Sequence, residues 1–159
     1  MLSEAVAHAI NEAQKQESEA RKSDQLAPDR PLLRIAVWHH SVTAPDFKMT
    51  DIEFLGNLQK NSVKLALHGD VHEMRRELIG YWHEKKLYVI GSGSFGAAAV
   101  DRPESTPRLY NVLEIARDLK SARVHTRCQP KPDGPWDGWY EWPDPDGGKG
   151  RVPYYDVKW

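Results

Sequence analysis

Two short apolar runs flank a segment of helical period, and that order leaves few folds open. The first run is LLRIAVW at Leu32–Trp38, and the second is Val63–Leu67. Both are rich in residues that favour strands. Between them Thr50 opens a helix as a capping box, with Glu53 three residues on. Ile52, Phe54, Leu55 and Leu58 supply its apolar face, and Asn61 closes it. Strand, helix and strand at this spacing make a βαβ unit with parallel strands. The near-continuous apolarity of Leu32–Trp38 predicts a strand buried on both faces.

The segments around this unit read differently. From Leu2 to about Arg21, the residues Leu2, Val6, Ala9, Ile10 and Ala13 form one stripe among Glu, Gln and Lys. That pattern predicts a surface helix with a narrow buried face. Pro28 and Pro31 lie in the stretch that ends it. After His72, Glu77–Trp82, Leu87–Ile90 and Tyr110–Ile115 read as strands, with HEKK at His83–Lys86 as a turn. Apolar and polar residues alternate on both sides of ARDLKS, which predicts a hairpin and an antiparallel second half. Beyond Gln129 the chain is rich in Pro, Gly, Asp and Trp, a composition that argues against regular structure. Trp136, Trp139, Trp142 and Trp159 offer too much apolar area for plain disorder. The expectation is a tail draped over a surface, its own or a partner's.

Bulk properties exclude several classes. The chain has 159 residues and a net charge of −1, so it fits one domain with a real core. It shows no basic stripe, hence no nucleic-acid patch. No apolar run is long enough to span a bilayer. The single Cys128 rules out an internal disulfide and fits a reducing compartment. The start is polar, without an apolar signal core. These features predict a soluble cytoplasmic protein.

The chemistry lies where the two strands end. RIAVWHHS (Arg34–Ser41) and LALHGDVHE (Leu65–Glu73) each run from an apolar body into His and Asp. Open α/β sheets build sites at such carboxyl ends. His72 follows Asp70 by two residues, so in an extended segment both point the same way. His39 ends the neighbouring strand in the same sense, about 5 Å away. His39, Asp70 and His72 are therefore the expected metal ligands, a donor set suited to Mn, Fe or Zn. Gly69 frees the backbone to turn sharply there. His40 and His68 are less suited, since adjacent strand residues face opposite ways, and His68 is expected to point into packing. GSGSFG at Gly91–Gly96 matches the dinucleotide pattern, but Pro103 and Pro107 break the helix that such a loop requires. A glycine-lined loop bordering the site is the better expectation. Arg75, Arg76 and Ser92 are weak candidates to meet a phosphate.

Taken in order, VWHHS, HGDVH, a β-hairpin, YVIGSGSFGA and RLYNVLEI resemble the C-terminal half of the calcineurin-like metallophosphoesterases. The resemblance covers roughly Leu32–Arg127 and rests on the order and spacing of several motifs. It implies that His39 binds one metal of a dinuclear centre and His72 the other. Gly69-Asp70-Val71-His72 stands where the family has Gly-His-x-His, and Ser41 stands where Pro is usual. Carboxylate remains a competent ligand for Mn or Fe. The family's first three motifs, Asp-x-His, Gly-Asp and Gly-Asn-His, are absent from this sequence. Gly56-Asn57 is followed by Leu58 and falls inside a helix.

The fold implied is α/β: a partial metallophosphoesterase sandwich, a βαβ unit followed by antiparallel strands. Residues 1–128 would form the C-terminal half of the phosphoesterase domain and 129–159 an irregular Trp/Pro/Gly-rich tail. The activity implied is hydrolysis of a phosphate mono- or diester, in which two metals polarise the phosphoryl group and activate water. Three ligands do not hold two metals, so the chain is expected to be one half of a split or truncated enzyme, inactive alone. Its expected partner is an N-terminal half or another chain carrying the remaining ligands. The rival expectations are a non-catalytic binding or regulatory remnant of the fold, and a single-metal structural site. The substrate beyond a phosphate ester is not legible.

Overall fold

The computed structural model describes residues 2–40, 52–69, 74–79, 86–96, 98, 100 and 106–159. The chain opens with helix α1 (Leu2–Lys22), then strand β1 (Arg34–Trp38), helix α2 (Ile52–Lys60) and strand β2 (Val63–His68). Strands β3 (Met74–Ile79), β4 (Leu87–Ser92), β5 (Arg108–Ile115) and β6 (Ser121–Gln129) follow. Four short strands close it: β7 (Asp137–Gly138), β8 (Trp142–Pro143), β9 (Arg151–Val152) and β10 (Tyr154–Lys158).

These strands form two main sheets and a small ribbon. The first sheet has the order β1-β2-β4-β3. In it β1, β2 and β4 are parallel, while β3 runs antiparallel to β4. The βαβ expectation is met. The antiparallel expectation holds for β3–β4 and β5–β6 but fails for β4 against β2, so this sheet is mixed. The strand expected over Glu77–Trp82 begins earlier, at Met74. Residues 80–85, most of the expected turn, lie outside the described residues. The second sheet is antiparallel, β10-β6-β5, with β7 also paired to β6. Strands β8 and β9 pair apart from both.

Alternation along the strands builds two cores. Leu65, Tyr88 and Ile90 of the first sheet meet Ala122, Val124, Tyr155 and Val157 of the second. On the other face of the first sheet, Ala66, Leu87 and Val89 meet Phe54 and Leu58 of α2. Val6 and Ile10 of α1 pack at the margin of that cluster, the narrow buried face its stripe predicts. The result is a helix layer, a mixed sheet and an antiparallel sheet. Arg21 fastens the end of α1 by donating to the carbonyls of Ala27, Pro28 and Arg30. Glu17 accepts from Arg21 and Arg34, tying α1 to the start of β1, and both guanidinium groups hold its carboxyl below the usual range. Among the described residues, no helix is long and apolar enough to cross a membrane.

Two expectations need correction. Strand β1 is not buried on both faces: Ile35 is 38% exposed and Val37 72%. The cause is position. β1 is an edge strand, and among the described residues the first sheet supplies the inter-sheet cluster from β2 and β4. Ile35 and Val37 pair with Leu65 and Leu67, so they share the inner face that the second sheet covers further along. That expected core membership is therefore lost for both, while Leu67 packs against the cluster.

The tail also contains regular structure where composition argues against it. Strand β10 pairs with β6 over Tyr154–Lys158 and contributes Tyr155 and Val157 to the core. Burial pushes the Tyr155 phenol far above its ordinary range. Arg123 and Asp156, register partners, form a two-point ion pair at 2.8 and 3.0 Å that holds the Asp156 carboxyl low. Trp159 donates from Nε1 to the Leu119 carbonyl at 2.8 Å, clamping the β5–β6 turn. The surface on which the tail drapes is the chain's own.

Candidate metal centre

Parallel register brings the chemistry-bearing ends together. Trp38 pairs with His68, so His39 and Gly69 leave the sheet side by side. A Cβ built on Gly69 would lie 3.5 Å from His39 Nδ1 and 3.6 Å from the His39 carbonyl oxygen. The His39 imidazole thus rests against the residue that leads into Asp70. Those distances are ordinary contacts, and Gly69 is not in the left-handed region. A Cβ would fit at Gly69, and the sharp turn expected there runs into residues 70–73, outside the described residues. The His40 ring lies 4.8 Å from that of His39, tilted by 60°.

Asp70 and His72 lie outside the described residues, so two of the three expected ligands have no placement. Among the described residues, no group of three His, Cys, Asp or Glu side chains converges as a metal site. His68 behaves as expected of a packing residue. It is 2% exposed, its ring stacks on Trp38 at 6.1 Å, and Nδ1 lies 3.0 Å from the Gly69 carbonyl oxygen. Trp38 in turn meets Phe54 edge-on at 5.1 Å, anchoring the end of β1 on α2.

The glycine-rich loop borders this end from the far side. Gly91 is the register partner of His68, and Gly93 takes a φ of 69° as the chain leaves β4. Residues 97, 99 and 101–105, where a dinucleotide fold would need its helix, lie outside the described residues. Of the weak phosphate candidates, Arg75 stands opposite Gly91 and Ser92 opposite Met74. The Arg76 guanidinium lies over the Tyr155 ring, 5.1 Å from its centroid. That places it at the inter-sheet seam, which gives it a packing role.

A polar chain ties this corner to the second sheet. Trp142 Nε1 donates to Thr126 Oγ1 at 2.9 Å, and Thr126 Oγ1 donates to Asn111 Oδ1 at 3.0 Å. Asn111 Nδ2 donates to the Gly91 carbonyl at 3.1 Å. Thr126 is fully buried. The Tyr-Asn pair in β5 was a visible signal for it, but its partners lie on three other elements.

No family model and no curated protein matches this sequence. Among solved structures the chain is similar to Vacuolar Protein Sorting 29 from Cryptosporidium parvum, with 13% identity and a TM-score of 0.41. The match covers 68% of this chain and 45% of that one, so the chain spans less than half the length of that protein.

The expected donors, imidazole from His39 and His72 with carboxylate from Asp70, are of the mixed N/O kind that Mn, Fe and Zn accept. His39 is the member whose position the fold defines.

Proposed function

We propose that this chain forms the C-terminal part of a metal-dependent phosphoesterase. It would act on a phosphate mono- or diester through a dinuclear centre that another segment or chain completes. The observation that supports this most is the Trp38–His68 register, which sets His39 against Gly69 at the head of Gly69-Asp70-Val71-His72. His39 and His72 would each hold one metal, with Asp70 as an additional ligand. When bound, such ions polarise the phosphoryl oxygens and lower the pKa of attacking water. The chain's own residues position and border the site: Trp38 anchors the β1 end, Gly91 flanks it, and Arg75 and Ser92 are the nearest candidates to meet the anion.

The exposed inner face at Ile35 and Val37 supports the same reading. An apolar sheet face left open beside an edge strand is what an added segment would cover. The rival, a non-catalytic remnant of the fold, draws on Asp70 standing where the family has His.

Complementation separates the two. The chain is mixed, or fused, with a segment carrying Asp-x-His, Gly-Asp and Gly-Asn-His, and hydrolysis of a generic aryl phosphodiester is followed with Mn. The expected result is no turnover from the chain alone, and turnover on complementation that is lost in His39→Ala or His72→Ala. Asp70→His should keep or raise it. Turnover that never appears, or that ignores both histidines, contradicts the proposal and favours the remnant.

A further inference from the structure

A second built feature lies on the loop that follows β4. Phe95 is 63% exposed, yet its ring is held in place. It lies parallel to Trp136, with centroids 5.3 Å apart and planes 8° apart. Tyr110 stands edge-on to both, 5.8 Å from Phe95 and 4.7 Å from Trp136. The trio draws on the β4 loop, strand β5 and the segment before β7. Arg127, opposite both Tyr110 and Gly138, donates to the Trp136 carbonyl at 3.2 Å and holds that segment. A lone exposed apolar side chain is ordinary. This one is different, because an indole backs one face of the ring while most of its surface stays open to solvent.

Its place matters as much as its geometry. Strands β1, β2 and β4 are parallel, so their carboxyl ends share one edge of the sheet. Phe95 follows Gly91, the partner of His68, by four residues, a reach of at most about 14 Å. Asn111, next to Tyr110, is bonded to the Gly91 carbonyl, so β5 is fastened at the same corner.

We propose that Phe95, stacked on Trp136, is a shelf that binds a planar heterocycle, the base of a nucleoside phosphate ester. A parallel ring column extends by adding another flat ring, which an alkyl group does not do. Each base stacked on an aromatic side chain contributes about 1–3 kcal/mol, or roughly 5- to 150-fold in affinity. The near-neutral chain with no basic stripe selects a single nucleotide over a nucleic-acid strand. The phosphate end of this inference rests on the phosphoesterase reading; the shelf does not.

Calorimetry of the full chain with Mn separates the two, using adenosine, AMP and ribose 5-phosphate as probes. AMP should bind more tightly than ribose 5-phosphate, and adenosine should bind measurably. Phe95→Ala and Phe95→Leu should weaken AMP and adenosine roughly 5- to 150-fold. Both should leave ribose 5-phosphate unchanged, and Phe95→Tyr should retain wild-type binding. His39→Ala should weaken the two phosphates and spare adenosine. AMP bound no better than ribose 5-phosphate, or unaffected by Phe95→Ala, overturns the shelf. Adenosine binding that depends on Phe95, with phosphates indifferent to Mn and His39, sustains the shelf and overturns the metal reading.

Discussion

Thr126 is the residue on which the corner beside the candidate site most depends. Its hydroxyl accepts from Trp142 and donates to Asn111, which bonds the Gly91 carbonyl opposite His68. Thr126→Val keeps the shape and removes the link. A buried group left unpaired costs on the order of 1–3 kcal/mol. Trp142 is only half-buried, so water recovers part of that. The expected loss is about 2 kcal/mol, read in urea unfolding as a lower midpoint at unchanged slope. A change below about 0.5 kcal/mol would show that the polar chain does not hold the sheets together. Only the Tyr-Asn pair in β5 was legible in sequence, because the four linked residues are distant in the chain and meet only after both sheets form. His39 was legible. An apolar strand running into a histidine is a local pattern, and parallel pairing with β2 followed from the helix between them. Asp70 and His72 remain expectations carried by their spacing alone.

At the scale of elements, β1 and β10 mark where local pattern stops being informative. The run Arg34–Trp38 is apolar enough for a strand buried on both sides, yet Val37 is largely exposed. Nothing in a strand's own residues states how far a second sheet extends across it. In the opposite sense, Pro and Gly dominate the tail and hide the alternation in Tyr154–Lys158. That segment pairs with β6 because β6 buries every second residue and needs a neighbour on its other edge. Helices α1 and α2 were readable because an apolar stripe is a property of a single segment; the Thr50 cap expected for α2 lies outside the described residues. The open inner face of β1 carries its own prediction. The isolated chain should self-associate through Ile35 and Val37, as exposed apolar edges do. Val37→Lys should reduce the associated fraction in light scattering with little loss of stability, because the side chain is already solvated. A wild-type chain that stays monomeric at high concentration contradicts this account of the face.

For the whole molecule, the helix layer, mixed sheet and antiparallel sheet have one functional consequence: they gather the ends of β1, β2 and β4 at a single edge. His39, Gly69 and Gly91 belong to that edge, and Phe95 follows Gly91 by four residues. The open face at Ile35 and Val37 lies on the same edge strand, where a completing segment would add both cover and ligands. On the proposed reading, this edge binds a divalent metal through residues that follow both parallel strands. Mn titration of the full chain by calorimetry tests it most directly, with His39→Ala, His72→Ala and the distant His125→Ala compared against wild type. Loss of an outer-shell partner alone typically weakens a metal about 10- to 100-fold, so loss of a direct ligand should cost at least about tenfold. Weak binding is expected of wild type and His125→Ala, and loss of most of it in His39→Ala and in His72→Ala. Equal binding by all four proteins would contradict it.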